Sequence, residues 1–229
     1  DAVQTLLENE GADVNRADKD GRTPLYIACG NGHVDAARLL LEKGAAVDRA
    51  RGNGCTPLFA ACWKGHVAVA TLLLDKGAAV DRAKEDGATP LSIAKQQGHS
   101  SIVALLEEHI SLKFPLHAPA NTGDVDAMTQ LIDGGAEVDA KLYGATPLFV
   151  VCQKGYVDAA RLLLDNGADV HKVSHDNRTP LHTASYEGHT DVVRLLLANG
   201  ADADLDVKDE SGDTPVADAK SQGHKAVVK

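Results

Sequence analysis

Aromatic residues and long hydrophobic runs are scarce in this chain of 229 residues. Phe, Trp and Tyr make up only 3% of it, although 44% is hydrophobic and alanine and leucine are abundant. Large aromatic side chains dominate most globular cores, so we expect thin layers of small aliphatic side chains instead. No apolar run reaches the roughly 18 residues of a membrane-spanning helix, and the chain does not begin like a signal peptide. We therefore predict no membrane partner.

Positive charge is also in short supply. The chain carries 23 Lys and Arg against 33 Asp and Glu, a formal net charge of −10. Binding to a phosphate backbone requires clustered Lys and Arg. We therefore predict no nucleic-acid partner and interpret the surface as acidic and well solvated.

One eleven-residue stretch recurs throughout the chain. It reads TPLYIACGNGH from Thr23 and TPLFAACWKGH from Thr56, and further copies begin at Thr89, Thr146 and Thr179. Another copy begins at Thr214, and a degraded one reads FPLH from Phe114. Seven of the eight prolines lie in this column, at positions 24, 57, 90, 115, 147, 180 and 215, so their spacings are 33, 33, 25, 32, 33 and 35. A period near 33 indicates a repeat architecture and not a single globular core.

These motifs resemble the ankyrin repeat family. The resemblance rests on Thr-Pro-Leu-x-x-Ala, a Gly-His that starts nine residues after the Thr, Leu-Leu-Leu and Gly-Ala-x-Val, which recur in that order over essentially the whole chain. It implies an all-α repeat fold, a solenoid of stacked helix-turn-helix pairs with β-turn fingers. We expect one array: a half repeat 1–16, repeats at about 17–49, 50–82 and 83–109, a degenerate repeat 110–140, repeats 141–173 and 174–208, and a truncated, polar cap 209–229.

Local residue chemistry predicts where each helix pair begins and ends. A Thr such as Thr23 is a good N-cap, and the Pro after it has no N–H to leave unbonded at the first helical position. We predict a first helix to about Gly30 and a second from about Val34 to Glu42, ended by Gly44. Turn pairs such as Asn53-Gly54 favour positive φ, and Asn177 takes the place of that glycine in a later finger.

The segment near 107–123 departs from the pattern. Leu106 to Pro115 spans 9 residues where Leu73 to Pro90 spans 17, so most of one finger is missing. Pro119 is predicted to lie inside a short helix, where it removes a hydrogen bond at a cost of roughly 3 kcal/mol. We expect a notch or bend, and earliest internal hydrogen exchange, near 107–123. A harmless surface deletion, a partner groove and a block boundary remain alternative explanations.

Four cysteines and ten histidines raise the question of chemistry. Cys29, Cys62 and Cys152 occupy one repeat position, and stacked elements lie roughly 10 Å apart, too far for a disulfide. We predict reduced thiols and a reducing, cytoplasmic location. Five histidines share the column of the second-helix start and are predicted to be structural: His33, His66, His99, His189 and His224. The sequence predicts no catalytic residue, no metal site and no cofactor.

Comparison of the copies separates scaffold from variable surface. The columns seven and eight residues after the Thr are mostly polar, and the resemblance places them on the concave side beside the fingers. Trp63 and Tyr186 are then exposed aromatic residues of the kind found in binding hot spots, although Trp63 folded back over its own repeat is the alternative. The predicted partner-binding residues are Arg22, Asn31, Asn53, Trp63, Lys64, Gln96, Gln97, Tyr143, Gln153, Lys154, Arg178, Tyr186 and Glu187. Leu142 and Tyr143 are predicted to form an apolar fingertip.

The leading hypothesis is therefore a monomeric, non-catalytic scaffold that binds a protein or peptide through its concave surface. Both ends look cut, because Asp1–Leu7 aligns with Asp35–Leu41 inside a second helix. This favours the alternative of a regulatory or targeting segment of a larger multidomain enzyme or channel. A catalytic or metal-binding solenoid is the third and weakest hypothesis.

Overall fold

The computed structural model describes residues 13–228, so most of the predicted half repeat 1–16 lies outside the described residues. The chain divides into two compact units, unit 1 (residues 1–110) and unit 2 (residues 111–229). The described residues form fourteen α-helices and no strand, apart from one isolated bridge between Leu142 and Ala145. The all-α repeat prediction is confirmed.

Unit 1 contains three described helix pairs. They are α1 (Pro24–Gly30) with α2 (Val34–Glu42), α3 (Pro57–Lys64) with α4 (Val67–Asp75), and α5 (Pro90–Gln96) with α6 (Ser100–Lys113), whose last three residues fall in unit 2. First helices pack on first helices, α1 on α3 and α3 on α5, and the second helix α2 packs on α4. The layers between them are made of small and aliphatic side chains, including fully buried Leu25, Leu58 and Leu73.

Unit 2 repeats this arrangement. Its helices are α7 (His117–Thr122), α8 (Val125–Asp133), α9 (Pro147–Lys154), α10 (Val157–Asp165), α11 (Pro180–Glu187), α12 (Thr190–Ala198), α13 (Pro215–Ser221) and α14 (Lys225–Val228). A short 3-10 helix, Ala201–Asp204, follows α12. It lies in the connection where the proline spacing is 35 residues instead of 33. One continuous apolar cluster runs through the unit, from Leu116 to Ala201.

The predicted caps are present. The hydroxyls of Thr23, Thr56, Thr89, Thr146, Thr179 and Thr214 each accept a hydrogen bond from the backbone N–H three residues later, with Pro at the first helical position. Thr therefore satisfies a donor that the helix leaves free, and Pro has no donor to lose. The second helices end as expected, with Gly44 at φ +87°.

The histidine column connects neighbouring repeats. Nε2 of His66, His99, His189 and His224 donates to the carbonyl oxygens of Gly30, Trp63, Gln153 and Tyr186, respectively, over 2.9–3.2 Å. Each acceptor lies at or near the C-terminal end of the preceding repeat's first helix. The structural role predicted for these residues is confirmed at these four positions.

The prediction for Pro119 is wrong. Pro119 is the third residue of α7, within its first turn, where the backbone N–H has no partner inside the helix in any case. The missing hydrogen bond therefore costs nothing there. Where the finger is missing, the second helix is longer: α6 has 14 residues, against nine in α2 and α4.

The fingers are tight hairpin turns of two lengths. In five of them, such as Arg51–Cys55, the first N–H bonds to the carbonyl four residues on, and the fourth residue has positive φ. Asn177 takes that place with φ 60°, as predicted. The finger Leu142–Ala145 is one residue shorter, which explains the spacing of 32 between two prolines. Its Leu142 is buried, so the predicted apolar fingertip is wrong and only Tyr143 is exposed.

Candidate partner-binding surface

The C-terminal ends of the first helices present the two variable columns. We call the positions seven and eight residues after the repeat's Thr column seven and column eight. Every described residue of both columns is exposed, except Gly30 in column seven, which is half-buried. Trp63 is 44% and Tyr186 38% exposed, as the sequence predicted for these positions. The interrepeat histidine bonds hold four backbone carbonyls of column seven, those of Gly30, Trp63, Gln153 and Tyr186, so the side chains at these positions stand on fixed supports.

In unit 1 a groove lies across α1, α3 and the fingers before them. We call it the Trp63 groove, and it is lined by Arg22, Tyr26, Ile27, Gly30, Asn31, Arg51, Ala60, Trp63 and Lys64. Four of these, Arg22, Asn31, Trp63 and Lys64, were predicted from the sequence. Part of its lining is apolar, because it includes Ala60, which is buried, and Ile27, which is 41% exposed.

Two cations of this groove lie against aromatic rings. The Nζ of Lys64 is 4.5 Å from the centroid of the Trp63 ring, and the Cζ of Arg51 is 5.6 Å from that of Tyr26. Within residues 13–228 neither Lys64 nor Arg51 makes an ion pair. Arg22, in contrast, is paired with Asp18 at 2.8 Å and Asp20 at 2.9 Å in its own finger.

In unit 2 the predicted residues Arg178 and Tyr186 come together. The Arg178 guanidinium lies 4.9 Å from the centroid of the Tyr186 ring, and its Nη2 donates to Asp218 Oδ2 over 2.6 Å. Asp218 belongs to the predicted cap 209–229, and its side chain is buried beneath this contact. Arg178 is therefore a structural link between repeats, and Tyr186 is the exposed part of the pair.

The other predicted residues lie apart from the groove and the pair. Gln96, Gln97, Gln153, Lys154 and Glu187 are exposed at the C-terminal ends of first helices, and Tyr143 is exposed on its finger. Asn53 has a structural task, since its Oδ1 accepts from the Cys55 N–H and its carbonyl from the Glu85 N–H. The sequence missed Ile27 and Arg51. Ile27 shares its column, four residues after the Thr, with Ile93 and with smaller residues such as Ala60, so its size alone gave no signal.

The chemistry available in the described residues is limited. All four thiols are free and buried, and burial raises the pKa of Cys29 and Cys62 to about 12 and raises that of Cys152 also. Residues 13–228 contain no group of three or more His, Cys, Asp or Glu side chains that is arranged to hold a metal ion. Within that range no helix has both the length and the apolar character needed to cross a membrane.

Solved structures similar to this chain include two ankyrin repeat domains. The human ASB11 ankyrin repeat domain is 32% identical, with 90% of this chain and 96% of that one covered and a TM-score of 0.46. The ankyrin repeat domain of Bcl-3, described as a member of the IkappaB protein family, is 26% identical, with 91% and 98% covered and a TM-score of 0.46.

Each of the curated relatives named here matches over a short segment only. An ankyrin repeat and LEM domain-containing protein 1 homolog from Caenorhabditis elegans is 56% identical over 41 residues, which is 18% of this chain and 6% of that protein. Cortactin-binding protein 2 from Ornithorhynchus anatinus is 51% identical over 39 residues, 17% of this chain and 2% of that protein. The matched segments are thus a small part of these relatives' length.

Family models cover most of the chain. A model described as ankyrin repeats (3 copies) matches residues 1–84 and 48–114, and one described as ankyrin repeats (many copies) matches residues 148–197 and 181–229. The matches take in both units and agree with the capped helix pairs, the fingers and the interrepeat histidine bonds described above. The chain belongs to the ankyrin repeat family.

Proposed function

We propose that this chain binds another protein or peptide through the C-terminal ends of its first helices and its fingers, and that it performs no chemistry on that partner. Ankyrin repeat domains generally mediate protein–protein interaction. The residues that we propose to contact a partner are Arg22, Asn31, Asn53, Trp63, Lys64, Gln96, Gln97, Tyr143, Gln153, Lys154, Arg178, Tyr186 and Glu187. Because Asn53 and Arg178 also hold the fold, their contribution to binding is through exposed atoms only.

The observation that carries this proposal is the combination of exposure, variation and rigid support in columns seven and eight. Recognition needs side chains that differ from place to place on a backbone that does not move. Trp63 and Tyr186 meet both conditions, since each ring is exposed and each backbone carbonyl is held by the histidine of the next repeat. Exposed aromatic side chains supply a large share of the binding energy in many interfaces.

The non-catalytic part of the proposal rests on what the reactive residue types are doing. His66, His99, His189 and His224 are engaged in hydrogen bonds to backbone carbonyls. The thiols are buried with raised pKa values, and a thiol must be deprotonated to act as a nucleophile. These groups are better explained by packing than by a reaction.

The proposal is tested by capture of partners from a cell lysate and quantitative mass spectrometry. The test variant combines Trp63→Ala, Tyr186→Ala and Tyr143→Asn, where Asn suits the φ of 52° at that position. A control variant carries Arg38→Ala, Arg161→Ala and Arg194→Ala, which are exposed residues of second helices. Partners that wild type and the control capture should be lost from the test variant.

Two further measurements make the result decisive. Circular dichroism must show equal helix content and equal unfolding midpoints for the variants, so that loss of binding reports the surface. A captured partner is then purified, and its affinity is measured directly by calorimetry. If the control variant loses the partner and the test variant keeps it, binding uses the second helices and the proposed surface is wrong.

A further inference from the structure

The Trp63 groove differs from the equivalent surface of the other repeats in its shape. Column seven holds Gly30 here, whereas other repeats place Trp, Gln, Asn, Tyr or Ser there. A Cβ at Gly30 would meet only the Cβ of Ala60, at 3.8 Å, an ordinary contact. The missing side chain therefore leaves a depression between Ile27 and Trp63, with a partly apolar lining.

The groove also differs in charge. Arg178 in unit 2 and Arg22 in unit 1 have their charges matched by nearby carboxylates. Lys64 and Arg51 make no ion pair among the described residues, and each lies at one aromatic side of the depression. Arg51 Nε donates to the Asp20 backbone carbonyl over 3.4 Å, and the Asp20 charge offsets part of the Arg51 charge, so Lys64 is the less compensated cation of the two. An apolar depression with Lys64 and the partly compensated Arg51 at its edges is complementary to a large apolar side chain next to a carboxylate.

We propose that the Trp63 groove binds a segment of a partner protein in which an Asp or Glu lies beside a large apolar residue. This inference rests on the proposed function and adds the chemistry of the bound segment. The apolar side chain enters the depression over Ile27 and Ala60, and the carboxylate pairs with Lys64 or Arg51. Since both cations already lie close to aromatic rings, less side-chain freedom is lost when the carboxylate binds.

The net charge of −10 opposes an acidic partner at long range. Charges more than about 8 Å apart are largely screened at physiological ionic strength, so the two local cations decide the interaction once the segment is in the groove. The same net charge argues against a nucleic acid, which would need a continuous basic track for its phosphates. Binding of a single-stranded oligonucleotide is therefore treated as an opposing outcome.

The test uses the full chain and a phage-displayed library of random twelve-residue peptides. Selected sequences are made as fluorescein-labelled peptides and their affinities are measured by fluorescence anisotropy, with oligo(dT) of twelve nucleotides as a second probe. We expect the selected peptides to carry Asp or Glu within two residues of Leu, Ile, Phe or Trp. Their affinity should fall when NaCl is raised from 50 to 500 mM, because the pairing is electrostatic.

Two variants address the two halves of the groove. Gly30→Gln fills the depression with the residue found at Gln96 and Gln153, and Lys64→Glu reverses one cation. Each should weaken the selected peptides at least tenfold. The control Asn121→Gln makes a comparable change at the same column in unit 2. The control Lys76→Glu reverses an exposed charge directly after α4, away from the groove. Both should alter affinity less than twofold.

The outcomes that overturn the inference are distinct. The inference fails if no peptide is selected or if the selected peptides lack acidic residues. It also fails if the oligonucleotide binds more tightly than the peptides, or if Gly30→Gln and Lys64→Glu both keep full affinity. If the peptides lose affinity on Tyr186→Ala but not on Gly30→Gln, the groove inference fails and the proposed function stands. If lysate partners are indifferent to the triple variant of the previous section, the proposed function fails on its own test.

Discussion

Arg178 and Asp218 form a 2.6 Å ion pair that joins the finger of one repeat to the first helix of the next. The Asp218 side chain is 7% exposed and that of Arg178 is 21% exposed, with its guanidinium against the Tyr186 ring. In the equivalent column the other repeats have Ile, Ala, Val or Thr. A carboxylate at this position is therefore tolerated because Arg178 compensates it.

We predict that Arg178→Ala lowers the free energy of unfolding by about 2 kcal/mol, because it leaves a buried carboxylate without its cation. Full burial of both partners would give a larger loss, and the exposed part of Arg178 reduces it. The double variant Arg178→Ala with Asp218→Val, which copies Val150 of α9, should be more stable than Arg178→Ala alone. Urea denaturation followed by circular dichroism measures all three differences.

The pH dependence of this variant has a definite sign. Burial raises the pKa of the Asp218 carboxyl, and the charge and hydrogen bond of Arg178 pull it back down. A carboxyl with a raised pKa binds its proton more tightly in the folded state, so its contribution to stability decreases as the pH rises through that pKa. Without Arg178 the pKa rises further. The loss of unfolding free energy caused by Arg178→Ala should therefore become smaller as the pH is lowered from 7 towards 4. A loss that does not change with pH would contradict this explanation.

The four thiols should differ in reactivity. Cys29, Cys62 and Cys152 are fully buried, and the pKa of the first two is about 12. Burial also raises the pKa of Cys55, but the nearby Lys84 and Arg51 charges oppose that shift. Since the thiolate is the reactive species, iodoacetamide should label Cys55 at least tenfold faster than the others, as measured by peptide mass spectrometry. Rapid native labelling of Cys152 would be evidence against the packing described here.

Pro119→Ala should lower stability slightly. In the first turn of α7 the proline loses no hydrogen bond, and its restricted φ reduces the freedom of the unfolded chain by an amount worth about 0.5–1 kcal/mol. The position first inferred from the sequence, inside a helix, requires the opposite result, a gain of roughly 3 kcal/mol. Chemical denaturation of Pro119→Ala beside Pro147→Ala, at the first position of α9, distinguishes the two.

Early hydrogen exchange near 107–123 remains a prediction, now with another physical basis. The last turn of α6 contains three consecutive exposed residues, Ser111, Leu112 and Lys113. Helix ends with few buried side chains open at low free energy. Amide exchange followed by mass spectrometry should show this turn exchanging before α3 or α9, and equal protection would rule it out.

What the sequence predicted and what it missed have a common physical reason. Helix caps, chain reversals and exposed columns depend on residues within a few positions of each other, so Thr23, Gly44 and Asn177 could be interpreted from local chemistry alone. The Trp63 groove depends on Arg51 reaching the Tyr26 ring, and the burial of Asp218 depends on Arg178, 40 positions away. Pairs of this kind form where repeats stack. The repeat period predicts the stacking, but it does not predict which side chains meet across it.

Gly155 offers a direct test of the histidine column. Its φ is +76°, and a Cβ there would lie 2.6 Å from Nδ1 of His189, whose Nε2 donates to the Gln153 carbonyl. Gly167 has a similar φ of +83° with no atom within 4 Å of the added Cβ. Gly167→Ala should therefore lower the free energy of unfolding by about 1 kcal/mol from backbone strain alone.

Gly155→Ala should lower it by at least about 1 kcal/mol more, because the imidazole must move and its hydrogen bond is lost. Removing the imidazole in Gly155→Ala with His189→Ala should then cost less than His189→Ala does in the wild type. Strict additivity in urea denaturation would mean that the ring does not occupy the space beside Gly155, and the bond that we assign to the column would have to be abandoned at that repeat.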